Sequence, residues 1–200
     1  MNLLEYIHSK WIYGRRVRVL AEHFARLLPE NAKVLDVGCG DGLIARRIAE
    51  QRKDLQFTGA EVYIRPTIQI PTVEFDGNSL PFPDHRFDVA MLVDVLHHAI
   101  DPTVLLREAC RVSRGKVLIK DHLLEGVLAG PILKLMDRTG NGRHGVPIPF
   151  NFWQRRQWKD TFVAQRLHID AWMEQLGLYP KVLGWPFERN LHFITLLSAP

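Results

Sequence analysis

The chain has 200 residues, 46% of them apolar, and a formal net charge of +4. That length fits one domain, and the apolar content excludes a disordered chain. No apolar run reaches the ~20 residues of a membrane span, and two cysteines without metal-type spacing, Cys39 and Cys110, exclude a disulfide or zinc framework.

The basic residues are scattered. The densest spots, RRVR at Arg15–Arg18 and RR at Arg155–Arg156, read as solvated faces. The stretch MNLLEYIHSKWIYGRR lacks the charged-then-apolar layout of a secretory signal. With the sparse cysteines, this gives an expectation of a cytoplasmic protein. No internal repeat or low-complexity segment is visible.

In chain order, Val17, Leu20, Ala21, Phe24, Leu27 and Leu28 recur at helical spacing and predict a helix over 17–28, stopped by Pro29. KVLDVG (33–38) reads as a short buried strand, and LIARRIAEQ (43–51) as a helix with Leu43, Ile44 and Ile48 inward. DLQFTGAE (54–61) is a second strand, TVEFD (72–76) a brief third, and RFDVAMLVDV (86–95) a long fourth. DPTVLLREACRV (101–112) has Asp101 as N-cap and Pro102 at the first helical position. GKVLIKD (115–121) is the fifth strand. Apolar strands alternating with helices predict an α/β fold with a parallel sheet covered on both faces.

After Asp121 the pattern loosens. LLEGVLAGPILKLM (123–136) is apolar but broken by Gly126, Gly130 and Pro131, and DRTGNGRHGVPIPFN (137–151) reads as a loop. A helix is expected over 153–164. RLHIDAW (166–172) alternates like a strand, although a helix running to Gly177 competes with it. LHFITLLS (191–198) closes the chain as a strand, expected antiparallel beside its predecessor.

VLDVGCGDG (34–42) puts three glycines at alternate positions directly after the first strand. Glycines cost conformational entropy there, so something must approach the backbone. A dinucleotide site wants Gly-x-Gly-x-x-Gly, but Leu43 stands where its third glycine would be. Asp36 and Asp41 would also repel a pyrophosphate, whereas acid in this loop suits an ammonium or a sulfonium.

This stretch, with DGNSLPFPDHRFDVAMLVDVLHHAIDP (76–102), resembles class I S-adenosylmethionine-dependent methyltransferases of the small-molecule, type 11-like branch, over about residues 30–120. The resemblance implies a Rossmann-like, open, mostly parallel seven-stranded sheet with helices on both faces and a C-terminal antiparallel strand. It implies one domain over 1–200: a helical segment at 1–30, a cofactor core at 33–121, a variable acceptor segment at 122–165 and closing strands at 166–200. It also implies S-adenosyl-L-methionine as cofactor and S-adenosyl-L-homocysteine as product. By position, Asp36 and the Gly38–Gly42 loop, with Gly38, Cys39, Gly40 and Gly42, would hold the methionine part. Glu61 would take the ribose hydroxyls. Asp76 and the Gly77 N–H would meet the adenine, and Leu92 and Val93 would offer backbone to the methionine end. One departure stands out. Only VYIRPTIQIPT (62–72) separates Glu61 from the third strand, and Pro66 and Pro71 forbid the helix usual there. Val62 and Tyr63 are the candidates for the adenine wall.

Methyl transfer from a sulfonium needs alignment above all, and a base only where the acceptor holds its proton near neutral pH. Candidates follow strands four and five: His97 and His98, then Asp121 and His122, with His144 in the Gly/Pro loop. His122 as base with Asp121 orienting it is the expected pair. The bland reading is that at least one histidine of His97–His98 is structural. Adjacent histidines are expected to diverge, so no metal is expected. The 123–136 stretch reads either as core cover or as an apolar lid over a lipid-like or aromatic acceptor. Phe150, Phe152, Trp153 and Trp158 either complete the core or line that pocket. The expected partner is a small-molecule acceptor rather than nucleic acid. Rival readings are a nucleotide-dependent oxidoreductase, an RNA methyltransferase built on Asp94, Lys120 and Glu188, and a cofactor-binding subunit without turnover.

Overall fold

The computed structural model describes residues 12–141, 150–180, 184, 186–188 and 190–199. The sheet edge opens with β3 (Thr72–Glu74), followed by β2 (Gln56–Glu61), β1 (Lys33–Val37), β4 (Phe87–Val93) and β5 (Ser113–His122). Beyond β5 come β7 (His192–Ser198) and then β6 (His168–Met173). The β1–β2, β1–β4, β2–β3 and β4–β5 pairs are parallel, and β7 lies antiparallel to both β5 and β6. This is the expected seven-stranded, mostly parallel sheet, with the last strand inserted inside it. RLHIDAW resolves as strand rather than helix.

Strand order reverses between β1 and β4, which opens a crevice beyond their carboxyl ends. Alternation along the strands feeds two cores. Leu20 and Phe24 of α1 (Gly14–Leu27) and Ile48 of α2 (Leu43–Gln51) pack with Val34, Val89, Met91, Leu118 and Ile194 on one face. Leu105, Leu106 and Ala109 of α3 (Pro102–Val112) and Trp158 and Phe162 of the helix Arg155–Ala164 pack with Leu35, Ala90, Ile119 and Phe193 on the other. Asp101 caps α3 as its sequence foretells, accepting from the Thr103 N–H at 2.8 Å.

Two local expectations are corrected. The helix after β5, α4, runs Ala129–Asn141, so Asp137 sits in a helix rather than in a loop. Its inner face carries Ala129 and Leu133, which pack with Phe152 and Leu191, and Asp137 is buried on the same side. The next helix, α5, starts at Arg155, where Gln154 and Gln157 close a reciprocal capping box. Residues 62–71 form no helix, in line with the two prolines.

Candidate active site

The glycine loop is built by left-handed backbone. Gly38, Gly40 and Gly42 have φ of +66°, +62° and +76°. At Gly38 a side chain has no room: an added Cβ would lie 2.5 Å from Val95. Gly40 instead faces more open space, its nearest neighbour being the Arg65 guanidinium at 3.5 Å. Asp41 Oδ1 accepts from the Leu43 N–H at 3.1 Å, so part of the loop acid caps α2.

Glu61, at the carboxyl end of β2, accepts the Gly40 N–H at 2.6 Å through Oε2 and the Val62 N–H at 2.9 Å through Oε1. Each oxygen keeps a further lone pair for a ligand hydroxyl. Asp36 is buried beneath the loop. Burial, with the charges of Glu61 and Asp41, pushes its carboxyl up to about 8. An acid held this way favours a neighbouring cation. Cys39 sits differently from its neighbours: its Sγ lies 3.7 Å from the Thr72 hydroxyl, and an added Cβ on Gly59 would lie 2.6 Å from that sulfur. Its side chain therefore packs into the sheet, and burial pushes the thiol up to about 12.

Val62 and Gly77 are neighbours, with Val62 Cγ2 3.5 Å from where a Gly77 Cβ would be. Asp76 Oδ1 accepts from the Asn78 and Ser79 N–H groups at 2.8 and 2.7 Å, which holds its carboxyl below the usual range. Leu92 is buried, and Val93 ends β4 beside Lys120.

Beyond β4 and β5, polar groups crowd into a buried cluster. The expected pairing of Asp121 with the His122 ring is corrected. Asp121 Oδ1 accepts from His97 Nδ1–H at 2.7 Å and from the His122 backbone N–H at 2.7 Å, and Oδ2 accepts from the Leu96 N–H at 3.1 Å. Successive strand residues point to opposite faces, so the Asp121 carboxylate and the His122 ring part company. Burial pushes His97 down, but the Asp121 charge and hydrogen bond, with Asp137, more than offset it, and its pKa is raised. Burial likewise pushes Asp121 up, and His97 brings it below the ordinary value. His97 Nε2 has no hydrogen-bond partner among the described residues; its nearest acid is Asp137 Oδ1 at 3.8 Å.

His98 does not diverge from His97. In the 3-10 turn Leu96–His98 their ring centroids are 4.1 Å apart, and His98 Nε2 lies 3.3 Å from Asp137 Oδ1. His122 is held neutral, first by burial and then by the Lys120 charge, and its Nε2 lies 3.4 Å from Asp94 Oδ1. Asp94 accepts from Arg16 of α1 and from the fully buried Lys120. His192 Nε2–H donates to the Phe187 carbonyl at 3.0 Å, which leaves Nδ1 to accept from Lys120 Nζ at 3.3 Å. Two triplets, Asp94–His97–His122 and His97–His98–Asp137, are close enough to share a cation, each with its ligand atoms within 4.8 Å of one another. Arg16 and Lys120 beside the first oppose a divalent charge there.

His144 lies outside the described residues. The Asp94–Lys120 contact exists, but Glu188 accepts from the Leu178 and Tyr179 N–H groups at 2.8 and 3.3 Å and joins no lysine among the described residues. Sequence reasoning left out Asp137, disguised by the turn-like DRTGN, and the His97–Asp121 pair, which strand alternation offered.

The methyltransferase-domain family matches residues 11–179. The chain belongs to the class I S-adenosylmethionine-dependent methyltransferases. Among relatives of this methyltransferase domain is 27-O-demethylrifamycin SV methyltransferase of Amycolatopsis mediterranei, 33% identical over 56% of this chain and 47% of that protein. Another is 2-methyl-6-phytyl-1,4-hydroquinone methyltransferase of a Synechocystis species, 33% identical over 64% of this chain and 38% of that protein. A tRNA U34 carboxymethyltransferase of Nautilia profundicola is 30% identical over 60% of this chain and 43% of that protein. The chain thus spans less than half the length of these curated relatives. In fold, it matches the methyltransferase solved in complex with the Haloferax volcanii Trm112 activator, with a TM-score of 0.70 at 16% identity, over 100% of this chain and 99% of that one.

The family implies S-adenosylmethionine as cofactor, and the crevice fits it. At Gly40 the loop is open, an added Cβ having the Arg65 guanidinium as its nearest neighbour at 3.5 Å; an acid with spare lone pairs ends β2, and a buried acid lies under the loop.

Proposed function

We propose that this domain moves the methyl group of S-adenosylmethionine onto a hydroxyl oxygen of a small, largely apolar organic acceptor. The observation that carries this reading is the 2.7 Å His97–Asp121 hydrogen bond at the carboxyl ends of β4 and β5, with His97 Nε2 making no hydrogen bond among the described residues.

In this reading Gly38, Gly40, Gly42 and the Cys39 backbone carry the methionine part, with Asp36 answering its ammonium. Glu61 takes the ribose. Val62, Asp76 and Gly77 border the adenine, and Leu92 and Val93 offer backbone to the methionine end. The cofactor supplies an electrophilic methyl carbon on a sulfonium. The chain's own task is to align an acceptor oxygen with that carbon and to take its proton. His97 does so at Nε2, while Asp121 fixes the ring through Nδ1–H and supports the imidazolium that forms. His122, buried and neutral, packs against the His97 ring with centroids 4.7 Å apart and walls the site with Phe152. His98 acts through Asp137 on α4.

The relatives' names support a small organic acceptor in two cases and tRNA in one. The scattered basic residues and the Glu188 position favour the small molecule. The test is incubation with cell extract and methyl-labelled cofactor, followed by fractionation. Label in a small organic or lipid fraction, released by neither base nor ribonuclease, is expected. Label confined to RNA overturns the acceptor class, and no cofactor binding at all overturns the whole reading.

A further inference from the structure

Most soluble surfaces scatter their exposed aliphatic residues; this one gathers several on a single helix face. Val127 is fully exposed just before α4, Leu128 is 63% exposed, and Leu135 is 58% exposed one helical repeat further on. Leu128 and Leu135 are seven residues apart, and Pro131 lies exposed between them, so they share one stripe. Lys134 and Arg138, both exposed, flank it on the same helix. Their charged ends lie 5.7 and 5.8 Å from the centroid of the Phe150 ring, so the two cations are gathered at one side of the stripe. The one acid between 127 and 138, Asp137, is turned inward and buried. Between 127 and 138, among the described residues, the outer face is therefore apolar and cationic.

We infer that this face docks on an anionic lipid surface, with Val127, Leu128 and Leu135 entering the headgroup–acyl boundary and Lys134 and Arg138 meeting lipid phosphates. An amphipathic helix with aliphatic residues on one face and bases beside them is the arrangement that lies in a membrane interface. Long basic side chains keep their charge at headgroup level while their stems lie along the apolar surface. Charge complementarity selects this occupant over a second copy of the chain, whose identical face would bring four cations together.

The position of α4 gives the docking a purpose. Its inner face holds Asp137 against His98 and packs Leu133 with Phe152. One helix thus separates the proposed acceptor pocket from the lipid. An apolar acceptor dissolved in a bilayer would reach that pocket beside α4 without crossing water. This step rests on the proposed acceptor class, whereas the docking itself does not.

The experiment is flotation of the full chain with vesicles of phosphatidylcholine alone and with phosphatidylglycerol added, alongside calorimetry of cofactor binding without vesicles. Binding to the anionic vesicles, weakened by salt, is expected. Leu128→Asp with Leu135→Asp should lower partitioning by roughly tenfold or more, with cofactor affinity unchanged. Lys134→Glu with Arg138→Glu should remove the preference for anionic lipid. Absence of vesicle binding by the wild type, or equal binding by the aspartate variant, overturns the proposal. So does a concentration-dependent dimer that the aspartate variant abolishes without any vesicle binding. Failure of the methyltransferase reading would show separately, as loss of cofactor binding in the vesicle-free arm.

Discussion

His97 and Asp121 are joined by a 2.7 Å hydrogen bond inside a cluster where both are almost fully buried. The bond orders proton transfer in a definite way. Because Asp121 holds Nδ1–H, the basic lone pair of the neutral ring is at Nε2. His97→Gln should therefore lower turnover by about 10²–10⁴-fold with cofactor affinity nearly intact. His122→Asn should cost far less, since burial and Lys120 already keep that ring neutral and weakly basic. Steady-state kinetics with calorimetric cofactor affinities separate the two; equal losses would remove His97 from the chemistry.

The same bond predicts a pH signature. A base must be unprotonated to act, so activity rises with pH through the raised His97 pKa. Asp121→Asn removes the charge that raises it. The acid limb of kcat/KM should then move to lower pH while the plateau falls. A purely structural Asp121 would lower the plateau and leave the limb in place.

Glu61 ties the glycine loop to β2 through both of its oxygens. A residue serving ribose alone would tolerate Gln better than Ala. Here Gln turns an amide donor toward a backbone N–H, whichever way it is flipped. Glu61→Gln should therefore lose cofactor affinity much as Glu61→Ala does, by about 1.5–3 kcal/mol. Titration calorimetry on the three forms checks this. A Gln variant close to wild type would mean that the Gly40 and Val62 contacts carry little.

Asp36 makes cofactor binding a proton-linked event. Burial, Glu61 and Asp41 hold its carboxyl up at about 8, so it is mostly protonated at pH 7 before binding. A cationic ammonium arriving beside it favours the ionised form. Binding at pH 7 should release a proton, and affinity should rise with pH and level off above about 8. Calorimetry in buffers of different ionisation heat reads the proton directly. Asp36→Asn should abolish both the release and the slope.

The glycine loop, Glu61 at the end of β2 and the α3 cap were legible in sequence because each is local: a handful of adjacent residues specifies the backbone. The parallel sheet followed from the alternation of apolar strands with helices, whereas the order of its strands came only with the structure. The acceptor side was less legible because its contacts span the chain. Asp137 reaches His98 across 39 positions, and Arg16 reaches Asp94 across 78. The adjacency of Asp121 and His122 was misleading for a reason the sequence did contain, namely that strand neighbours face opposite ways. The continuation of α4 into DRTGN was hidden because the buried Leu133 and Asp137 outweigh local turn preference there.

Asp94 should matter more to stability than the lysine it holds. Lys120 is fully buried, and burial, with Arg16 nearby, keeps its pKa well below the ordinary lysine value. Asp94 is the carboxylate that accepts its proton, and it accepts from Arg16 as well. Removing the acid leaves a buried ammonium with His192 as its remaining hydrogen-bond partner among the described residues. Removing the lysine leaves an acid still paired with Arg16. Asp94→Ala should therefore destabilise the fold by about 3–5 kcal/mol, and Lys120→Met by clearly less. Urea unfolding with an unchanged m-value measures both. The sign of the pH dependence follows from the same groups. Below the depressed Lys120 pKa the unpaired charge costs its full amount. That cost fades as pH rises toward the ordinary lysine value of about 10.4, so the Asp94→Ala deficit should narrow on the alkaline side. A deficit that widens with pH, or a lysine variant less stable than the aspartate one, would show that Lys120 is held by its packing rather than by Asp94.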